Sequence, residues 1–194
     1  MRKYLAPRIA LSDLPVMAAV TLQGALLAGL YGIVHDQFTF AISPEYFTNM
    51  KFQQFHYADF GLGDRVFAST VGLLGTWWVG GILAWFLARR LVPGQSTGQA
   101  RRQIGQAFLI VFAAGVAAGI LGFAYGLACG PGGDYSAWTR AFTLFRIEDE
   151  WAFVRVAYIH NASYAGGALG FLLVLATIRP TRVSPRQDTR DDAE

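Results

Sequence analysis

Three histidines and a few carboxylates are the side chains of this chain best suited to holding an ion: His35 beside Asp36, Glu45 and His56 in the stretch that follows, and His160. Neutral imidazole with carboxylate suits zinc, iron or another transition metal, the carboxylate binding the ion directly or steadying the imidazole. The candidate metal set is therefore His35, Asp36, Glu45, His56 and His160. None of these spacings has the specificity of an HExxH motif. If His35 and His160 sit at matching depth on two helices of a bundle, they could instead be the axial ligands of a b-type haem. No nucleophile with an adjacent base and no phosphate-cradling loop is visible. The Gly-Leu-Gly-Asp run at 61–64 is not a dinucleotide fingerprint, because no strand precedes it. The sequence carries no recognised catalytic motif.

The elements that must position these residues follow from composition. Of 194 residues, 54% are hydrophobic and only 15% charged, against roughly 25% charged in ordinary soluble domains. Together with 22 glycines, that describes an all-α polytopic membrane protein, since close backbone approach takes over from hydrophobic burial in lipid. Crossing about 30 Å of hydrocarbon takes about 20 apolar residues. Four stretches qualify, at 15–34, 66–88, 105–128 and 156–178, and none contains Lys, Arg, Asp or Glu. Start signals precede each: Asp13 with Pro15, Asp64, Ser96 or Thr97, and Asp149 or Glu150. The chain reads as one membrane domain over 1–194, a four-helix bundle with external loops at 35–65 and 129–155 and a cytoplasmic tail at 180–194.

Lys and Arg set the orientation. Eleven of the 16 lie in the N-terminal tail (Arg2, Lys3, Arg8), the middle loop (Arg89, Arg90, Arg101, Arg102) and the C-terminal tail (Arg179, Arg182, Arg186, Arg190). The positive-inside rule then places both termini in the cytoplasm and both long loops outside. The first apolar stretch is about twice the length of a signal-peptide core and lacks a clear cleavage site, so it reads as a retained span. The basic excess is explained by topology and by anionic headgroups, and implies no nucleic-acid partner. The lone Cys129 excludes an intramolecular disulfide. On this topology all three His and eight of the 13 acidic residues face outward.

Small residues recur every four positions in each span: Ala25 and Gly29, Ala28 and Gly32; Gly72, Thr76 and Gly80; Gly115 with Gly119, Gly122 with Gly126; Ala162, Gly166 and Gly170. That spacing lets two backbones approach closely. Gln23 is the most polar mid-span residue, with Thr76 as its expected partner across the helices. No proline interrupts a span at its middle and no internal repeat is visible, so the marks of a transporter are missing.

The first external loop is dense in aromatics, and Ser43-Pro44-Glu45 is a helix-start signal. It predicts a short helix from about Pro44 to about Gln54, serving either as an interfacial aromatic belt or as a lid over a site. Gly130-Pro131-Gly132-Gly133 predicts a turn before a second interfacial helix on which Trp138, Ala141, Phe142 and Phe145 share a face. Glu148, Asp149 and Glu150 stand where acids stabilise the start of the fourth span. At about 100° per residue, His160, Ser163, Tyr164, Gly167 and Gly170 share a face that points into the bundle, with Arg155 one to two turns above.

The run His35-Asp36-Gln37, Ile42-Ser43-Pro44-Glu45-Tyr46-Phe47 and Lys51-Phe52-x-x-Phe55 resembles a loop in a family of small bacterial four-span membrane proteins. The resemblance implies a multi-pass protein of the bacterial inner membrane and brings no activity with it. Three readings of function stand: a periplasm-facing His/carboxylate site that binds a metal or small ligand or serves redox chemistry; an accessory subunit, or homo-oligomer, docking a membrane partner through its aromatic outer loops; and a small transporter.

Overall fold

The computed structural model describes residues 9–180, so the expected contributions of Arg2, Lys3, Arg8 and of most of the basic C-terminal tail lie outside the described residues. Among those described there is no strand. Four long helices, α1 (Leu14–Ile42), α2 (Asp64–Leu91), α3 (Thr97–Cys129) and α5 (Glu150–Thr177), are long and apolar enough to cross a membrane. A short helix, α4 (Thr139–Phe145), precedes α5. The chain is a multi-pass, all-α membrane protein.

The helices outrun the apolar stretches that predict them. Hydropathy ends the first span at residue 34, yet α1 continues through His35 and Asp36 to Ile42 and stops only at Ser43, the residue before Pro44. A proline disfavours helical backbone in the residue before it, whereas a charged side chain does not stop a helix. His35 and Asp36 therefore belong to a spanning helix and not to the loop expected to begin at 35. In the same way α5 begins at Glu150, capped by the Asp149 carboxylate accepting from the amide of Ala152 at 2.9 Å. Ser96 caps α3.

The bundle is built as two helical hairpins. α1 packs against α2 along its length and α3 against α5, while the two hairpins touch each other far more sparingly. The reason is the small-residue register. In the first hairpin, Gly24, Ala28 and Gly32 face Gly72, Thr76, Gly80 and Ala84, and a methyl group on Gly32 would run into the carbonyl of Gly72. Thr76 donates to the Ala28 carbonyl at 2.7 Å, across this seam and not to Gln23, which is exposed. In the second hairpin, Gly122 and Gly166 face Tyr158 and Ala162, and Ala114 and Ala118, respectively. Backbones in such direct contact gain dispersion that bulkier residues would forfeit.

The hairpins meet at their two ends. At the arginine-bearing end Met17, Val20, Ala84, Leu91, Ala100 and Ile104 form one core. At the histidine-bearing end a larger one gathers Phe40, Tyr46, Phe47, Phe142, Phe153 and Val156 from both hairpins and both connecting loops. The seam chemistry yields a contrast of sign between two glycines of α2. Gly72→Ala should destabilise the protein by about 1–3 kcal/mol through overpacking. Gly75→Ala, where a Cβ meets open space, should be neutral or stabilising by about 0.5–1 kcal/mol. Thermal or steric-trap unfolding in bicelles measures both; equal effects would refute the register.

Candidate metal centre

Helix periodicity alone would send adjacent residues about 100° apart, yet His35 and Asp36 both reach the seam between hairpins, where His160 enters from α5. One oxygen, Oδ1 of Asp36, lies 3.1 Å from Nδ1 of His35 and 3.3 Å from Nε2 of His160. The ligating atoms of the three residues all lie within 4.8 Å of one another. The two imidazoles stand edge to face with ring centres 4.6 Å apart. Asp36 is 6% and His160 3% exposed.

The second nitrogen of each imidazole decides what the cluster can do. Nδ1 of His160 lies 3.0 Å from the carbonyl of Val156, an acceptor only, so that nitrogen carries the proton. In the neutral ring Nε2 is then a lone pair facing the Asp36 carboxylate. Two acceptors at that distance repel unless a cation, a second proton or a metal ion, stands with them. Nε2 of His35 is buried without a hydrogen-bond partner, a condition that normally costs about 1–3 kcal/mol. Three donor atoms carrying one anion make a set matched to a divalent metal.

The same packing does not fit a haem. Rings 4.6 Å apart and bridged by one carboxylate oxygen leave no gap for a macrocycle between them.

A roof closes the end of the site. The Ser43 hydroxyl accepts from the amide of Tyr46 at 3.3 Å, and the expected helix follows as a π-helical turn, Tyr46–Lys51, running into a single turn, Phe52–Gln54. π-Turns widen the helix and often mark functional sites. This one carries Tyr46 onto His160, stacked at 5.0 Å, and sets Phe47 at 6.4 Å from the same ring. Of the two readings of this loop, its first turn is the lid. Its far part turns outward: Tyr57, Phe60 and Leu62 are exposed. Burial holds the Tyr46 phenol well above its ordinary value and so neutral. Burial draws the Lys51 ammonium, 5.7 Å from the Tyr46 ring centre, below the ordinary lysine range, and the charge of Asp36 opposes that shift.

The remaining candidates lie elsewhere. The Glu45 carboxylate accepts from the backbone amides of Glu148 at 3.1 Å and Asp149 at 3.0 Å, clasping one loop to the start of α5. It is occupied as an anchor and does not join the cluster. His56 sits on a 3-10 turn, Nδ1 at 3.1 Å from the Gln53 carbonyl, lining a shallow cleft with Asp59 and Asp64. Arg155 stacks on Trp151 at 3.9 Å and stays clear of His160. On α5 the buried face is His160, Ser163, Gly166 and Gly170, whereas Tyr164, expected on it, is 57% exposed. Tyr31, its ring centre 5.3 Å from that of His35, escaped the sequence reading. Its place one turn before His35 on the same helix was the available signal.

Comparison with known protein families, characterised proteins and solved structures finds no match to this chain. The clasp predicts that Glu45→Gln, which keeps the shape and removes the charge, accelerates hydrogen exchange at the amides of Glu148 and Asp149 by about tenfold, the worth of one charge-assisted bond discounted for exposure. Unchanged exchange there would show that Glu45 does not hold the roof.

Proposed function

We propose that this chain is a metal-binding protein of the bacterial inner membrane, with both termini cytoplasmic and one divalent transition-metal ion held by His35, Asp36 and His160 near the periplasmic end. The observation that carries the reading is the His160 contact. Its Nδ1 proton is committed to the Val156 carbonyl, so its Nε2 lone pair and the Asp36 carboxylate converge on one point, with His35 beside them. Two imidazoles and one carboxylate are three protein ligands, the number that leaves coordination positions for an external ligand at catalytic zinc and non-haem iron centres. The protein's contribution is to fix these ligands on rigid helices, to exclude water with Tyr46 and Phe47, and to set the His160 tautomer from behind through Val156.

Support for the orientation comes from the arginine bias of the 89–104 connection, and the Ser-Pro-Glu-Tyr-Phe resemblance supports the bacterial assignment. A second reading, an accessory subunit that docks a partner, draws on the outward-turned Phe38, Tyr57, Phe60 and Leu62 at the same end of the molecule. Co-purification from mild detergent with one stoichiometric partner, in the absence of metal, would favour it.

Two measurements test the metal reading. Titration with Co(II) should give one ion per chain with visible ligand-field bands; His160→Ala and Asp36→Asn should each weaken binding at least about a hundredfold, more than loss of an outer partner costs, while His56→Ala leaves it unchanged. Full binding by the His160→Ala protein would end the proposal. For orientation, single cysteines placed at Gln53 and Gly98 in a Cys129→Ser background should react with an impermeant maleimide from the periplasmic and cytoplasmic sides respectively; the reverse pattern would invert the topology.

A further inference from the structure

Two adjoining clefts on the roof of the histidine-bearing end carry opposite charge. The first, of about 520 Å³, is lined by His56, Asp59 and Asp64 with Thr48 and Gln53, and no Lys or Arg lines it. The second, of about 360 Å³, runs between the π-helical turn and the end of α4; Arg146 lines it with Thr48, Asn49 and Gln53, and no acid does. Thr48 and Gln53 belong to both, so the two form one groove, each half within the roughly 300–1,000 Å³ of small-molecule sites. Among the described residues neither the Asp64 carboxylate nor the Arg146 guanidinium makes an ion pair. The groove therefore presents an open negative end and an open positive end to one ligand.

The acidic half is matched to hydrogen-bond donors. Nδ1 of His56 lies 3.1 Å from the Gln53 carbonyl, which only accepts, so that nitrogen carries the proton and Nε2 of the neutral ring is an acceptor. With the carboxylates of Asp59 and Asp64, three side chains then offer acceptors, and a primary ammonium brings three N–H donors. A quaternary ammonium brings none. Among the described residues only His35, Asp36 and His160 group closely enough for one metal ion, so the acceptors of the groove suit a larger cation. The basic half offers a guanidinium and a neutral amide, donors that fit a phosphate.

Height and rim fix where such a ligand comes from. The spanning helices have 28 to 33 residues, about 42–50 Å at 1.5 Å per residue against about 30 Å of hydrocarbon, so their ends stand in the headgroup layers. Asp64 is the first residue of α2. Along the rim Asp59, Gly61 and Gly63 line the groove, while Phe60 and Leu62 between them are 70% and 69% exposed. An apolar edge beside a charged groove at that height meets acyl chains and head groups together.

Going beyond the metal reading and sharing no ligand residue with it, we infer that this groove holds the zwitterionic head of a phospholipid with a primary ammonium, phosphatidylethanolamine, from the leaflet at this end of the molecule. The ammonium lies with Asp59, Asp64 and Nε2 of His56, the phosphate with Arg146 and Gln53, and the chains against Phe60 and Leu62.

The test is native mass spectrometry of the full chain released from nanodiscs that hold phosphatidylethanolamine, phosphatidylcholine and phosphatidylglycerol in equal amounts. One phosphatidylethanolamine should be retained per chain, about tenfold more tightly than phosphatidylcholine, the worth of charge-assisted bonds discounted for exposure. Asp64→Asn and His56→Ala should each remove most of that preference without lowering phosphatidylcholine binding. Arg146→Gln should weaken both lipids together, because both carry the phosphate. Asp134→Asn, an acid at the same end but outside the groove, should change nothing. Glycerophosphoethanolamine, the same head without chains, should fail to displace the lipid. Equal retention of the two zwitterionic lipids, or a preference that survives both Asp64→Asn and His56→Ala, would overturn the inference. So would tighter retention of phosphatidylglycerol, which needs only the basic half, or displacement by the soluble head, which would show a ligand drawn from water. Each of these outcomes leaves the metal reading to its own Co(II) titration.

Discussion

A carboxylate buried in the membrane-embedded part of a protein is tolerated only with partners at hand, because ionised oxygen loses far more hydration than any single contact returns. Asp36 meets that demand with two imidazoles on one oxygen. Its approach to His160, 3.3 Å, also brings α1 against α5 across a seam where the hairpins touch only sparingly. Site and architecture therefore share one interaction. The hairpins are each self-sufficient through small-residue contact, and the place where they must be held together is where the charged cluster sits.

That division explains why the roof is so elaborate. Glycine seams within each hairpin need no specific partner from the other, so the meeting of hairpins depends on large rings and on a few polar ties. Phe40, Tyr46, Phe47, Phe142 and Phe153 supply the rings. The Glu45 clasp and the bond from Asn49 to the Arg146 carbonyl, 3.2 Å, supply the ties. The aromatic loop covers the outer end of the cluster by the same packing that completes the fold.

Much of the framework was legible in the sequence because membrane solvation constrains it so heavily. Four charge-free stretches, the capping residues at Ser96 and Asp149, the helix start at Ser43-Pro44 and the apolar face of α4 all follow from local rules that lipid enforces without exception for backbone polar groups. The errors were at boundaries. Hydropathy placed His35 and Asp36 in a loop, since a charged pair ends an apolar window although it does not end a helix; Pro44 does. Likewise helical spacing puts Tyr164 on the packed side of α5 although it is exposed, because that spacing gives a face about 100° wide and only the position of α3 selects which edge of it is buried.

By itself the sequence determined that the chain has four helices long and apolar enough to cross a membrane, that its small residues would bring helices into contact, and that its histidines would gather at one end. These are consequences of composition and of periods of three to four residues, which act within a helix. Which of the five candidates meet was decided by tertiary structure alone. His35 and Asp36 are separated from His160 by well over a hundred residues of chain, and nothing local distinguishes His160 from His56, or Asp36 from Glu45. The difference arises when two hairpins dock: Glu45 finds the unpaired amides ahead of α5 and is used up there, His56 stays on an exposed turn, and the buried carboxylate of Asp36 finds the one histidine on the facing helix that its own burial requires.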